Sequence, residues 1–305
     1  FVACHNPSYV DKYNMVQELV DGGTFLLNCS WDMEGLEEHL PGQVKSYIAN
    51  HNIKFYTIDG IKIGKEIGLG GRINTVLQSA FFKLAAIIPE EEAIDLMKAA
   101  AKATYGRKGD KIVQMNYDAI DAGAKQVVEI AVPESWKDAA DEGLTTPHVG
   151  EGGRADVVDF VKNIQAKVNA QEGNTLPVSA FNEYVDGSTP SGSSAYEKRG
   201  IAVDIPIWQP DNCIQCNRCA YVCPHAVIRP IALTEEEAAN APEGMDMIDM
   251  MGMPNMKFSI AVSAYDCTGC GSCVNVCPGK KGEKALVMGN MEANAGKQDF
   301  FNYGT

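Results

Sequence analysis

The sequence is short of positive charge and of long apolar runs. Its 26 lysines and arginines stand against 40 aspartates and glutamates, which gives a net charge of -14 over 305 residues. No run of lysine or arginine occurs, so nucleic acid, with its phosphate backbone, is not an expected partner. No apolar stretch approaches the length that spans a bilayer, so a membrane segment is not expected either.

Histidine is also scarce, with only five in the chain. His39, His51 and His148 are isolated, and no Ser-His-Asp or paired-carboxylate arrangement can be assembled from the sequence. The chain opens without a methionine, at Phe1-Val-Ala-Cys4, in a pattern typical of a buried strand. We therefore expect the numbering to begin inside a longer polypeptide.

Cysteine, in contrast, occurs in a repeated pattern. Eight of the ten cysteines fall in two C-x2-C-x2-C-x3-C-P runs, from Cys213 to Pro224 and from Cys267 to Pro278. In this spacing, three thiolates wrap one cubane and the fourth reaches the other cluster. The pattern predicts two crossed 4Fe-4S clusters, the first held by Cys213, Cys216, Cys219 and Cys277 and the second by Cys267, Cys270, Cys273 and Cys223.

Two other uses of these cysteines are less consistent with the spacing. A disulfide framework would need an oxidising compartment and would not be expected to repeat one four-cysteine spacing. Zinc sites usually pair two C-x2-C hooks rather than take four cysteines from one run. Gly269, Gly271 and Ser272 leave room for the backbone to approach inorganic sulfur. These thiols indicate a reducing, cytoplasmic and anaerobic setting.

The first part of the chain alternates strands with helices, which is typical of an α/β layer architecture. Strands are predicted at 24–29, 54–59 and 127–132. Helical patterns cover 36–52, with a break at Pro41-Gly42, and also 73–84, 90–104 and 155–170. Cys4 and Cys29 end strand-like runs without further grouped ligands, so buried thiols are expected rather than a metal site.

The glycine-rich segment from Asp59 to Arg72 permits two interpretations. Glycines before a helix often leave N–H groups free for phosphate. However, position 73 is isoleucine where the dinucleotide fingerprint needs glycine, and the preceding stretch looks helical. A helix break with tight packing is favoured, while Arg72 at the start of the next helix keeps an anion site open.

The last hundred residues contain an internal duplication of strand, cysteine loop, helix and strand. The paired closing strands are predicted at 227–231 and 285–288. An insertion at 233–257 separates the halves and carries a methionine-rich run, for which adaptable packing is favoured over copper ligation. A Ser-, Gly- and Pro-rich stretch at 173–192 indicates a linker before this domain.

Several of these motifs together resemble pyruvate:ferredoxin oxidoreductase. They are Ile58-Asp-Gly-Ile-Lys-Ile-Gly64, Gly68-Leu-Gly-Gly-Arg-Ile-Asn-Thr-Val-Leu-Gln-Ser-Ala-Phe-Phe82, Tyr196-Glu-Lys-Arg-Gly200 and the double cysteine run. The resemblance covers essentially the whole chain. It implies an α/β three-layer γ-type domain at 1–170, a Glu-Lys-Arg linker domain at 171–204, and a small α+β, duplicated bacterial-ferredoxin-like domain at 205–305.

The resemblance also implies oxidative decarboxylation of pyruvate with coenzyme A, with this segment relaying single electrons to an external ferredoxin or flavodoxin. Thiamine diphosphate, Mg²⁺ and a third cluster would lie in the thiamine-binding domains, because no Gly-Asp-Gly motif with a metal-binding Asn occurs here. A homodimer is implied as well. Gly70, Gly71 and Arg72 become candidate contacts for the phosphates of coenzyme A.

Two other functions remain open from the sequence. The segment could serve an oxidoreductase for another 2-oxo acid, or the chain could be a stand-alone polyferredoxin-like carrier. For docking of the electron acceptor, the candidate cations are Arg218, Lys280, Lys281 and Lys284, although an ordinary solvated face is favoured for them.

Overall fold

A computed structural model describes residues 1–140 and 153–305. These residues fall into two compact units. The first combines the described residues up to 140 with Ala166–Pro177, and the second combines residues 153–165 with Val178–Thr305. In the described part of the chain, no helix is both long and apolar enough to cross a membrane.

The first unit contains a mixed four-stranded sheet. Strands β1 (Val2–Cys4), β2 (Thr24–Asn28) and β3 (Lys54–Ile58) run parallel, and β4 (Val128–Glu129) pairs antiparallel with β3. The strands predicted at 24–29 and 54–59 are therefore confirmed. The third is much shorter than predicted, because only the Ile130 N–H extends the pairing, to Phe55 O, before Pro133 removes a donor.

Helices connect these strands. The break predicted at Pro41 is confirmed, because one helix ends before it and the next begins after it. Another helix begins after Pro89 with three glutamates in its first turn, where the helix dipole favours negative charge. The helices are α1 (Met33–His39), α2 (Gly42–Asn50), α3 (Gly60–Ile67), α4 (Asn74–Ala85), α5 (Glu90–Tyr105) and α6 (Asp110–Lys125).

Strand β2 divides its side chains between two cores. Phe25 and Leu27 are fully buried in one core with residues of α1 and α2, including Leu36 and Ile48. Leu26 lies in the other core with residues of α3, α4 and α6. Successive strand residues point to opposite faces, so helices cover both faces of β2. Each of these large side chains contributes roughly 1.5–3 kcal/mol on burial.

The predicted amphipathic helix at 155–170 forms as α7 (Ala155–Phe160), a π-helical turn (Val161–Gln165) and α8 (Ala166–Asn169). The sequence places Val157, Val158, Val161 and Ile164 on one side of this helix; Val157, Val161 and Ile164 are buried, and Val158 is only half-buried. Phe160 is buried too, and its ring packs edge-on against Tyr184. The buried positions 157, 160, 161 and 164 follow the i, i+3, i+4, i+7 spacing of one helix face.

The second unit contains two antiparallel sheets. One pairs β5 (Asp204–Trp208) with β9 (Leu286–Asn290). In the other, β8 (Met256–Val262) lies between β6 (Ile228–Thr234) and β7 (Ile248–Asp249). The two closing strands are therefore not paired with each other, which corrects the sequence prediction. Each instead pairs with the opening strand of the other repeat, so the two halves interlock.

Short helices complete the second unit: α9 (Arg218–Val222), α10 (Glu235–Ala239), α11 (Ser272–Val276) and α12 (Gln298–Gly304). In the predicted insertion, Met245 is buried in a core with Ile231 and Leu233, and Met247 packs against it. The packing role is thus confirmed for these two methionines. Met251 is two-thirds exposed and has no such role.

Candidate iron-sulfur centres

The two cysteine loops repeat one backbone conformation. Gln215 and Asn217 have φ of 54° and 58°, and Gly269 and Gly271, at the equivalent positions, have φ of 69° and 72°. Glycine adopts this left-handed conformation freely, whereas other residues incur a cost of roughly 1–2 kcal/mol. The second loop thus uses glycine for its backbone angles as well as its small size, while the first loop reaches the same conformation with Gln and Asn.

This conformation directs amide N–H groups toward cysteine sulfurs. The Gln215 amide lies 3.4 Å from the Cys213 Sγ, and the Gly269 amide lies 3.4 Å from the Cys267 Sγ. The Ala285 N–H donates to the Cys277 Sγ across 3.3 Å. Such N–H···S hydrogen bonds favour the thiolate over the thiol and tune the potential of a bound cluster.

Thiols from both motifs line one cavity in the second unit. The cavity holds about 350 Å³ of unfilled space, part of it open to solvent. Apolar parts of its wall include Trp208, Ile260 and Leu286. The thiols that line it are Cys213, Cys216, Cys219 and Cys277. The structure thus brings together the four cysteines predicted for the first cluster.

The other four cysteines also meet across the two motifs. Cys223, the last cysteine of the first run, interacts electrostatically with both Cys267 and Cys273. Cys270 is exposed, whereas Cys267 and Cys273 are each only 7% exposed. Cys223 therefore lies near the thiols of the second loop.

Burial makes several of these thiols hard to ionise. Desolvation raises the pKa of Cys219 to about 12 and that of Cys273 to about 11, and it also raises the pKa of Cys267. Cys270 is the exception, because hydrogen bonds from the Ser272 amide and hydroxyl lower its pKa. Buried thiolates need nearby positive charge, which iron supplies, so this donor set fits a cluster.

A single metal ion fits less well. Among the described residues, no three His, Cys, Asp or Glu side chains are grouped closely enough to hold one ion. Four ligands of a tetrahedral zinc ion all lie within about 2.3 Å of it. The cysteine groups are therefore more open than a zinc site. Cys4 and Cys29 are buried, as predicted, and burial raises the pKa of Cys4 to about 12.

Two polar atoms near the first loop lack a partner among the described residues. Trp208 is 6% exposed, and its indole Nε1 is buried without an acceptor. The Oδ1 of Asn217 is likewise buried and unpartnered. Both residues line the cavity. An unpaired indole N–H costs roughly 1–3 kcal/mol, and a sulfur acceptor in the cavity would relieve this cost.

Lys284 has a role that the sequence prediction missed. Its Nζ donates to the carbonyl oxygens of Val274, Asn275 and Cys277, at 2.5, 3.0 and 3.3 Å. These carbonyls lie at the C-terminal end of α11, where a lysine both satisfies acceptors and complements the helix dipole. Of the four cations considered for docking, Lys284 is thus engaged within the domain. Arg218, Lys280 and Lys281 are exposed.

Gln215 also contacts the insertion, which the sequence did not indicate. Its Nε2 donates to Asp249 O across 2.7 Å, and its Oε1 accepts from the Met251 N–H at 2.8 Å. The side chain thereby links the first cysteine loop to the turn that follows β7.

In the first unit, the glycine-rich segment is a helix break, as favoured from the sequence. Gly68, with φ of 90°, ends α3. A Cβ on Gly64 would lie 2.5 Å from Gly70 O, so only glycine permits this approach. Gly70, Gly71 and Arg72 are exposed in the turn before α4, whose first amides have no side-chain cap.

A buried asparagine near this segment was missed. The Asn28 Nδ2 donates to His5 O across 2.9 Å, and its Oδ1 accepts from the Gly60 N–H at 2.9 Å. Asn28 thus joins the residue after β1 to the first turn of α3. No sequence pattern marks this contact. His148 lies outside the described residues.

The chain matches three family models. Residues 1–126 match pyruvate ferredoxin/flavodoxin oxidoreductase, residues 151–202 match a domain of unknown function, and residues 212–281 match a 4Fe-4S dicluster domain. The dicluster match begins at the residue before Cys213 and includes both cysteine runs.

Curated relatives match over nearly all of the chain. A pyruvate-flavodoxin oxidoreductase from Enterobacter agglomerans is 46% identical over 303 residues, which is 99% of this chain and 25% of the relative. A pyruvate:ferredoxin oxidoreductase from Moorella thermoacetica is 48% identical, covering 95% of this chain and 24% of the relative. An NADP(+) pyruvate dehydrogenase from Cryptosporidium parvum is 42% identical, covering 91% and 16%.

The chain spans a quarter or less of the length of these relatives. The match at 1–126 lies within the first unit, and the dicluster match, with both cysteine runs, lies within the second. The chain belongs to the pyruvate:ferredoxin (flavodoxin) oxidoreductase family.

Proposed function

We propose that this chain is the electron-transfer part of a pyruvate oxidoreductase. The observation that carries the proposal is that Cys277 lines the same cavity as the first three cysteines of the other run. Cys213, Cys216, Cys219 and Cys277 would hold one 4Fe-4S cluster, and Cys267, Cys270, Cys273 and Cys223 would hold the other. Two such clusters supply one-electron redox chemistry at low potential.

The residues of the chain provide three things for this chemistry. The cysteines fix the position of each site on short loops that are held between antiparallel strands. The amides of Gln215, Gly269 and Ala285 donate to sulfur and stabilise negative charge there. The apolar wall formed by Trp208 and Leu286 limits the access of water to the first site.

The proposed fold is more specific than mixed α/β. Helices on both faces of β2 support a three-layer γ-type domain, and two strand–loop–helix–strand repeats with crossed pairing support a duplicated ferredoxin-like domain. The domain boundaries at 170 and 204 and the homodimer stay predictions. A reducing compartment such as the cytoplasm suits eight free cluster thiols.

The names and lengths of the relatives support the proposed reaction and partners. All three are named for pyruvate, which favours pyruvate over another 2-oxo acid, and all are several times longer than this chain, which argues against a stand-alone carrier. Their named acceptors are flavodoxin, ferredoxin and NADP(+), so ferredoxin or flavodoxin is the proposed acceptor. Thiamine diphosphate, Mg²⁺ and a third cluster would belong to parts of the enzyme outside this chain.

For coenzyme A, we propose Gly70, Gly71 and Arg72 as phosphate contacts. Open space surrounds both glycines, and a cation stands next to uncapped helix amides. These features suit an anion.

Reduction of the enzyme by its own substrates tests the proposed function. The full-length enzyme is mixed anaerobically with pyruvate and coenzyme A, and the iron-sulfur absorbance and paramagnetic signals are followed. We expect reduction that requires pyruvate, and the share of the signal that belongs to the two clusters of this chain should be lost when Cys213 and Cys267 are both replaced by alanine. Clusters that are reduced by dithionite but never by pyruvate would contradict the proposal.

A further inference from the structure

The Glu-Lys-Arg segment contacts the second cysteine loop. It belongs to the region matched by a model described only as a domain of unknown function. Within the second unit, the Lys198 Nζ lies 2.5 Å from Asp266 Oδ2, and Asp266 directly precedes Cys267. Both side chains are largely covered, with 28% and 23% exposed. This is therefore an ion pair partly shielded from water, unlike most surface pairs.

The ion pair belongs to a network that fixes the start of the loop. The Ser263 hydroxyl, fully buried, donates to Asp266 Oδ2 across 2.6 Å and lies 3.4 Å from the Lys198 Nζ. The Ser263 carbonyl accepts from the Cys267 N–H at 3.2 Å. Lys198 thus acts through Asp266 and Ser263 on the backbone of a cysteine that we assign to the second cluster.

The lysine itself is held in place. Its backbone has φ of 39°, a left-handed conformation that is costly for a residue with a side chain. The Gly200 N–H donates to Tyr265 O across 2.7 Å, and the Lys198 ammonium lies 5.8 Å from the ring centroid of Phe301. Such a conformation persists where several contacts determine it together.

We infer that Lys198 is a positioning residue for the second cysteine loop and raises the reduction potential of the cluster held there. The inference rests on the proposed function, in that a cluster occupies the site of Cys267. Asp266 brings a negative charge next to that site, and negative charge disfavours the reduced, more negative cluster. The Lys198 ammonium offsets this charge, so it favours reduction.

The two members of the pair should therefore have opposite effects. Replacing Lys198 by methionine leaves the Asp266 charge without its cation, and the potential falls. Asp266→Asn leaves the cation without its carboxylate, and the potential rises. If the substitutions only loosened the loop, they would not shift the reduction potential in opposite directions.

Lys297 provides a matched control. Its side chain is also 28% exposed, it lies 4.0 Å from Asp246 Oδ2, and its ammonium lies 5.4 Å from the ring centroid of Phe300. It thus has the same kinds of contact as Lys198, but its partner precedes no cysteine. Lys297→Met reports the general effect of losing a half-buried lysine.

Redox titration of the holoenzyme, monitored by electron paramagnetic resonance, tests the inference in five variants. For Lys198→Met we expect one midpoint to fall by an amount equivalent to about tenfold in the reduction equilibrium, or about 59 mV for one electron. Lys198→Arg should restore it, Asp266→Asn should raise it, and Lys198→Met with Asp266→Asn should lie near wild type. Lys297→Met should leave all midpoints unchanged.

Other outcomes have defined meanings. Loss of the second cluster in Lys198→Met but not in Lys198→Arg supports the positioning role. Equal loss in both variants, or equal shifts for Lys198→Met and Lys297→Met, overturns the inference. An unchanged midpoint in a protein with full iron and sulfide content also overturns it, and leaves the proposed function intact.

Discussion

Cys277, from the second cysteine run, lines the same cavity as Cys216, from the first. Neither run can complete this set of four thiols by itself. The reason lies in the strand pairing: β9 follows Cys277 and pairs with β5, which precedes the first loop. Each cysteine loop therefore lies next to the short helix of the other repeat, α9 or α11. The crossed ligation that we propose would follow from this crossed pairing of the strands.

Pairs of alanine substitutions distinguish crossed from uncrossed ligation. If ligation is crossed, Cys219→Ala with Cys277→Ala affects one cluster only, whereas Cys273→Ala with Cys277→Ala affects both. Iron and labile sulfide, counted against wild type, should fall by about one cubane in the first variant and about two in the second. The reverse order would show that each run holds its own cluster.

Trp208→Phe should lower the reduction potential of the first cluster. The buried indole N–H has no acceptor among the described residues, and a donor to cluster sulfur favours the reduced state. Loss of one hydrogen bond, worth roughly 0.5–1.5 kcal/mol, corresponds to up to about tenfold in the reduction equilibrium. Trp31→Phe is the matched control, because its indole Nε1 is also buried without an acceptor in the described part of the chain but lies in the first unit. Equal midpoints in wild type and Trp208→Phe would contradict this role.

Lys284→Met should destabilise helix α11, which follows the second cysteine loop, rather than weaken docking of the electron acceptor. The ammonium accounts for three carbonyl contacts at the end of α11, and we expect a loss of about 1 kcal/mol of stability. A chelator should then remove iron faster from the variant. Lys281→Met, an exposed neighbour, should leave that rate unchanged. If both substitutions slow electron transfer to ferredoxin without changing iron loss, Lys284 acts at a docking surface instead.

Cys4 should resist alkylation at pH 8. Burial raises its pKa to about 12, so the neutral thiol prevails in the native protein, and only the thiolate reacts quickly. An unfolded cysteine has a pKa of about 8.5, so this group favours the folded state below pH 8.5 and loses that effect as the pH rises toward 12. Mass spectrometry after iodoacetamide treatment should find Cys4 labelled only when denaturant is present. Rapid labelling of the native protein at pH 8 would contradict the burial.

Arg72→Ala should raise the KM for coenzyme A several-fold, with little change in kcat. The guanidinium is exposed beside uncapped helix amides, and loss of one phosphate contact weakens binding by roughly 1–2 kcal/mol. Arg107→Ala, an exposed arginine elsewhere in the first unit, is the control. If both variants have the wild-type KM, the phosphates bind at another place.

The sequence predicted those features that depend on spacing and periodicity. The strands at 24–28 and 54–58, the helix breaks near Pro41 and Gly68, and the grouping of Cys277 with the first run all follow from such patterns, whereas the parallel pairing of the strands does not. Such patterns indicate which residues are buried and which form turns. Because the two repeats share one cysteine spacing, their loops are expected to have the same conformation.

Contacts between distant polar residues could not be predicted in this way. The Lys198–Asp266 pair and the Asn28 bridge join residues that are separated by whole elements. A lysine in a loop, or an asparagine at the end of a strand, has the same local pattern with or without such a partner. The length of the third strand was overestimated, because residues 127–132 are rich in β-branched side chains. The strand is in fact limited to the two residues that pair with β3.

Quantitative metal analysis tests the central claim most directly. Anaerobically purified enzyme is compared with a variant in which Cys219 and Cys273 are both alanine, and iron, labile sulfide and zinc are counted. The account predicts that wild type holds about eight more irons and eight more sulfides per chain than the variant, with a paramagnetic signal after dithionite. If wild type instead holds zinc that the variant lacks, with no more labile sulfide and no stronger paramagnetic signal than the variant, the account is wrong.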